Sequence, residues 1–189
     1  MPAKLITPPS VEPVSLSEAK AQLRFTSDAE DALISQRIGM IRQYCEDQTQ
    51  ISLMSQTWEL VLDGFCCEMF LPHPPVQSVV SIKYIGVDGI EQTIPSSDYV
   101  LDNINDMRAR VVPASGKEWP RTAYGVNIVR VRYVSGYQDA NAVPGPLKLY
   151  ILSHLGYWFI NRSAVSVGNT VTKMEYVDSL LDQYKVWGI

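Results

Sequence analysis

The chain has 189 residues, 46% hydrophobic and 19% charged, which excludes wholesale disorder and is enough for a substantial core. Its formal charge of −4 and pI near 5.2 exclude a protein that grips nucleic acid through overall charge, since such binding rests on clustered Lys and Arg. Cys45, Cys66 and Cys67 make neither a C-x-x-C motif nor a zinc spacing and fit a reducing compartment.

Residues 1–14 read as an extended arm. The stretch "MPAKLITPPSVEPVS" has no apolar run of signal-peptide length, and Pro8, Pro9 and Pro13 would break one. No stretch approaches the roughly 18 uninterrupted apolar residues of a membrane helix, so a soluble protein with no membrane partner is expected.

Residues 15–50 read as two helices. Ser15 and Glu18 stand at capping-box spacing, with Leu16, Ala19 and Leu23 on one side of the short helix that follows. Ser27 and Glu30 repeat the signature ahead of a helix of about five turns, with Leu33, Ile34, Ile38, Ile41 and Cys45 three or four apart.

At residue 51 the period changes to two, and residues 51–140 read as a β-rich insertion. Trp58, Leu60 and Leu62 alternate with polar or smaller neighbours. Val80, Ile82 and Tyr84 share one predicted face ahead of Asp88-Gly89, the dipeptide of tight hairpin turns. Val129, Val131 and Tyr133 oppose Arg130 and Arg132, so one face of that strand is wet.

Helical spacing returns over residues 141–189. Pro146 suits a first turn, and Leu147, Tyr150, Ile151, Leu155 and Trp158 follow at helical intervals. A final stripe is Val177, Leu180, Leu181 and Tyr184. The expected architecture is α+β: N- and C-terminal helices as a core, an antiparallel β-rich insertion, and residues 15–189 as one compact unit.

Chemical motifs are sparse. His73 and His154 are the two histidines, and there is no nucleophile elbow, phosphate loop or dinucleotide fingerprint. No catalytic, cofactor or metal site is expected. Position i+4 from His154 holds Trp158 rather than a second ligand, so the ring reads as packed or bonded to a neighbouring turn. Asp28, Glu30 and Asp31 read as acids complementing a helix dipole. Arg108, Arg110, Lys117, Arg121, Arg130 and Arg132 read as a solvated sheet face, with phosphate contact or a charged subunit interface as the sharper options. The Tyr157-Trp158-Phe159 block makes a helix apolar on almost every side, and such a helix needs cover on almost every side.

The order of the pieces resembles the head-tail connector, or head-completion, proteins of tailed bacteriophages. The resemblance spans nearly the whole chain and rests on "PVSLSEAKAQLRF", "DAEDALI", "QTWELVLDGF", "LPHPPVQSVVSIKY", "YVSGY", "VPGPLKLYILSHLGYWFINRSAV" and "LLDQYKVW" in sequence. Members often read His-Trp-Tyr-Glu-Asn-Arg-Glu where this chain has residues 157–163. Trp158, Asn161 and Arg162 match, while Tyr157, Ile160 and Ser163 lose a histidine and two acids.

The resemblance implies a non-enzymatic subunit of a ring that closes the portal once DNA is packaged and then docks the tail. Its partners would be further copies of itself, the portal protein and tail or neck proteins, with packaged DNA passing through the lumen unbound. It would be found at the head-tail junction of the virion, and in the bacterial host cytoplasm during assembly. Interface candidates are Trp158, Asn161 and Arg162, the sheet arginines Arg130 and Arg132, and the acids Asp28, Glu30 and Asp31. Two rival readings are a hydrolase or transferase using Asp98, His73 and Tyr99, and a β-module binding a ligand or carbohydrate through Trp58, Trp119 and Tyr124.

Overall fold

The computed structural model describes residues 3–161 and 175–186. It has the α+β architecture, and the chain divides into two compact units. A β unit comprises Met1–Ser10, Gln50–Gln138 and Val186–Ile189, and a helical unit comprises Val11–Thr49 and Asp139–Lys185.

The β unit is organised around β8 (Val129–Ser135). Val129, Val131, Tyr133 and Ser135 are buried while Arg130 and Arg132 face water, as period-two alternation dictates for a half-covered strand. On one side β8 pairs antiparallel with β2 (Gln56–Leu62), setting Trp58 opposite Tyr133 and Leu60 opposite Val131. On the other it pairs with β4 (Val76–Ile85). The arm is drawn into this sheet: β1 (Ala3–Thr7) pairs with β2. With β5 (Glu91–Thr93) beyond β4, the strand order is β1-β2-β8-β4-β5. A second antiparallel sheet runs β3 (Met69–Leu71), β7 (Arg108–Pro113), β6 (Tyr99–Asn105).

One apolar cluster draws on both sheets. Leu60, Ile82, Val131 and Tyr133 come from the first, and Met69, Leu71, Ala109 and Val111 from the second. Each fully buried large side chain of this kind contributes about 1.5–3 kcal/mol of transfer free energy.

Val80 departs from the face assigned to it. Ile82 and Tyr84 are buried, but Val80 is exposed, because the register against β8 slips between Val79 and Ser81. The extra residue is a β-bulge, which turns one side chain out of the alternation. A second slip lies between Val76 and Ser78, and Gln77 there donates from Nε2 to Ser55 Oγ and to the Gly136 carbonyl, both at 2.6 Å.

In the helical unit, α1 (Leu16–Leu23) starts on a complete capping box. The Glu18 N–H donates to Ser15 Oγ at 3.2 Å, and the Ser15 N–H donates to Glu18 Oε2 at 2.8 Å. Helix α2 is Asp31–Thr49, so it begins after the predicted Ser27 cap. Ser27 Oγ instead accepts the Ala29 N–H at 3.2 Å within the turn before the helix. Lys20 then bridges from α1, reaching Asp28 at 2.6 Å and Asp31 at 2.8 Å. A cation from a neighbouring helix thus meets the acids that the sequence assigned to the dipole.

Helix α3 (Gly145–Ile160) buries Leu147, Tyr150, Ile151 and Leu155, and both α1 and α2 pack against it. Arg42 of α2 is nearly covered and donates to Glu12 at 2.8 Å and to Glu46 one turn on. A short helix α4 (Glu175–Ser179) brings Asp178 to 3.3 Å from His154 of α3.

Candidate subunit interface

Trp158 is half-buried near the end of α3. The guanidinium of Arg37, from α2, lies over its indole ring, and Phe159 beside it meets Phe25 edge-on at 5.3 Å. Between them Leu33, Ile34 and Leu155 complete a hollow of about 220 Å³, with Glu30 and Arg37 supplying its charged groups. Helices α2 and α3 pack together, and Ile34, Ile38 and Leu155 on them are buried, while Leu33, one residue from Ile34, is exposed. Leu33 was expected on the buried face of α2. With Met40 and Tyr44 it forms an exposed apolar stripe instead, at intervals of seven and four residues that keep one side of a helix.

The remaining interface candidates are scattered. Asn161 is exposed and bonds its own helix end, donating from Nδ2 to the Tyr157 carbonyl at 2.9 Å. Arg162 lies outside the described residues. Arg132 donates to Glu59 across the β2–β8 pair at 2.8 Å, and Arg130 lies 3.9 Å from Glu91. Asp28 and Asp31 share Lys20, whose ammonium holds the Asp28 carboxyl below its ordinary value. The arginine and acid groups therefore already hold opposite charges within the chain.

The residues of the rival readings sit in structural roles. Asp98 accepts from Lys117 and Ser97, which lower its pKa, so it is a poor proton acceptor at neutral pH. His73 stacks on Trp58 at 3.9 Å, and the indole N–H of Trp58 donates to Ser52 Oγ at 3.0 Å. Trp119 stacks on Phe65 at 4.9 Å against the core, and its indole nitrogen is buried with no hydrogen-bond partner. Tyr124 stands clear of the surface. Trp58 and Trp119 are thus packed against the core of the β unit, and of the three aromatics Tyr124 is the fully exposed one.

Cys45 in α2, with His154 and Asp178, has the composition of a nucleophile-base-acid set. Burial, with a smaller push from Glu46, raises the Cys45 thiol to about 12, which removes the thiolate that such chemistry needs. Among the described residues no group of three His, Cys, Asp or Glu side chains is placed to hold a metal ion, and no helix is long and apolar enough to cross a membrane.

Two exposed turns lie at one end of the five-stranded sheet. The β4–β5 turn presents Val87 and Ile90, and the loop leading to β8 presents Tyr124 and Val126. A bridge between Gly86 and Thr122 ties the two together. The signal was present in the sequence as "GVDGI" and "AYGVN", where large apolar residues flank turn glycines that polar residues usually accompany.

No family model matches the chain, and no curated protein matches it. Solved structures do. A chain from the neck of an empty GTA particle, in C6 symmetry, superposes with a TM-score of 0.79 at 19% identity, covering 100% of this chain and 97% of that one. A chain from the virion of a native gene transfer agent (GTA) particle gives 0.78 at 19% identity with the same coverage. The neck of the native GTA particle in C12 symmetry gives 0.74 at 18%, again covering 100% and 97%. The chain thus shares, from end to end, the fold of proteins found in the necks of these particles.

Proposed function

We propose that the chain is a structural subunit of a phage or phage-like head-tail connector ring, which closes the portal after DNA packaging and docks the tail. The observation that carries this is the end-to-end likeness to chains from gene transfer agent necks and from a gene transfer agent virion, at TM-scores of 0.74–0.79 covering 100% of this chain and 97% of each of those. The C6 and C12 symmetries of those necks are the arrangement that repeated copies around an axis adopt. The proposed partners are further copies of the chain, the portal and tail or neck proteins, and the proposed place is the head-tail junction, reached from the host cytoplasm.

The acidic balance of −4 suits a duct that lets DNA slide, since strong phosphate contacts would retard its passage. Arg130 and Arg132 remain interface candidates together with Trp158, Asn161 and Arg162. A charged contact through the arginines would exchange one exposed partner for another and contribute little.

The reading is tested by deleting the gene from the genome that encodes it and imaging the particles by electron microscopy. Filled heads without attached tails are expected, with tails restored by the gene in trans. Normal numbers of tailed, infectious particles after deletion would overturn it.

A further inference from the structure

This inference rests on the ring reading above and names the contact between its subunits. A head-to-tail contact closes into a cycle only when each copy carries two different surfaces that fit one another. The charged groups do not supply such a pair, because Arg132, Asp28 and Asp31 are already matched within the chain. The apolar groups do.

One surface is concave. The hollow between α2 and α3, about 220 Å³, is walled by Leu33, Ile34, Leu155, Trp158 and Phe159, with Glu30 and Arg37 also in its lining. That is below the range of about 300–1,000 Å³ typical of small-molecule sites. Its scale is that of one or two side chains. The exposed stripe of Leu33, Met40 and Tyr44 extends it along α2, so a partner that fills the hollow also has a track to lie on.

The other surface is convex. Tyr124 is 106% exposed, and Val87, Ile90 and Val126 project with it from the paired turns of the β unit. These turns are held before any contact is made. Asp88 Oδ1 accepts the Ile90 N–H at 3.1 Å, Asp63 Oδ1 accepts the Asn127 N–H at 2.9 Å, and the Ala123 N–H donates to the Ile85 carbonyl at 3.0 Å. Four large apolar side chains on rigid turns cost stability in water and lose little entropy when they dock.

We infer that the turns at residues 87–90 and 124–126 of one copy insert into the α2–α3 hollow and stripe of the next copy, and that this contact closes the ring. The occupant is a second copy because the projecting turns and the hollow are on the same chain, and the necks whose chains share this fold have C6 and C12 symmetry.

The test uses two variants of the full chain. Tyr124→Asp with Val126→Asp spoils the projecting side, and Leu33→Asp with Met40→Asp spoils the receiving side. All four positions are exposed, so both variants should melt within a few degrees of wild type. Native mass spectrometry across a concentration series should show rings for the wild type and monomers for each variant alone, a weakening of about tenfold or more per contact. Mixing the variants should give a dimer and nothing larger, because one intact projection meets one intact hollow and no second contact is left. Variants that form rings like the wild type, or a mixture that stays monomeric, overturn this inference and leave the ring reading standing. A wild type that is monomeric throughout overturns this inference, while the ring reading stands or falls with the deletion experiment.

Discussion

The guanidinium of Arg37 on α2 covers the indole of Trp158 on α3, closing one wall of the hollow between the helices. The two residues are 121 positions apart in sequence, and their contact makes a half-buried tryptophan part of the helix-helix packing. Trp158→Ala should lower the unfolding free energy by about 2–3 kcal/mol, beneath the range for fully buried aromatics. Arg37→Ala should cost about 0.5–1 kcal/mol. Because the two touch, the double variant should lose less than the sum. Chemical denaturation of the three variants measures this, and strict additivity would show the stacking to be idle.

Gly136 follows β8 with φ at +106°. A Cβ there would collide with the Met54 carbonyl, and backbone atoms cannot swing aside as a flexible side chain can. Gly136→Ala is expected to destabilise by about 3 kcal/mol or more, through strain and the clash together. A melting temperature within two degrees of wild type would be incompatible with this packing.

The Cys45 thiol lies within the helical unit, and burial raises it from an ordinary 9.0 to about 12. Below pH 9 the thiol is neutral in both folded and unfolded states. Between pH 9 and about 12 the unfolded chain ionises there while the folded one does not, so stability falls across that window. Tyr133 and Tyr150, both raised by burial from an ordinary 10.0, act in the same direction. Cys45→Ala should therefore show a shallower loss of stability from pH 9 to 11 than wild type. In a thiol assay at pH 8, Cys66 and Cys67, both exposed, should react in the native protein, and Cys45 after denaturation.

Ser15→Ala should cost about 1 kcal/mol by leaving the first turn of α1 without its cap. The Glu18 carboxyl is held below its ordinary 4.5 chiefly by the Ser15 hydroxyl and N–H. A depressed carboxyl stabilises the fold above the unfolded value and loses that contribution as pH falls through the folded one. Denaturation profiles should thus drop more steeply below pH 4.5 for wild type than for Glu18→Gln. Parallel profiles would mean the capping box does not persist in solution.

Local chemistry was legible in the sequence where one short segment decides the outcome. Ser15 and Glu18 cap α1 from three residues apart, Asp88-Gly89 turns the β4–β5 hairpin, and the alternation of β8 sorts its faces. Features settled by distant partners were not. The Ser27 signature matches that of Ser15 but loses to Lys20, which gathers Asp28 and Asp31 and lets α2 begin later. Val80 obeys the period of its own strand until the register with β8 slips beneath it. The hollow needs Leu33 and Trp158 from opposite ends of the chain, so periodicity marked both as apolar without revealing that they flank one space.

The interleaving of the two units has a consequence for synthesis. Residues 11–49 leave the ribosome early, but α3, against which α1 and α2 pack, is encoded from residue 145 onward. The β unit, by contrast, has all its described strands once residue 135 has emerged, including β1 from the very start. A nascent chain at that stage would hold a finished sheet beside two helices whose apolar sides, Ile34, Ile38 and Cys45 among them, still await cover. These helices would be the natural targets of a chaperone that binds exposed apolar surface. A chain ending at residue 138 and stalled behind a C-terminal linker long enough to clear the ribosomal exit tunnel should resist protease in its β strands and be cut within α2, and equal resistance in both regions would argue that the helices find shelter without α3.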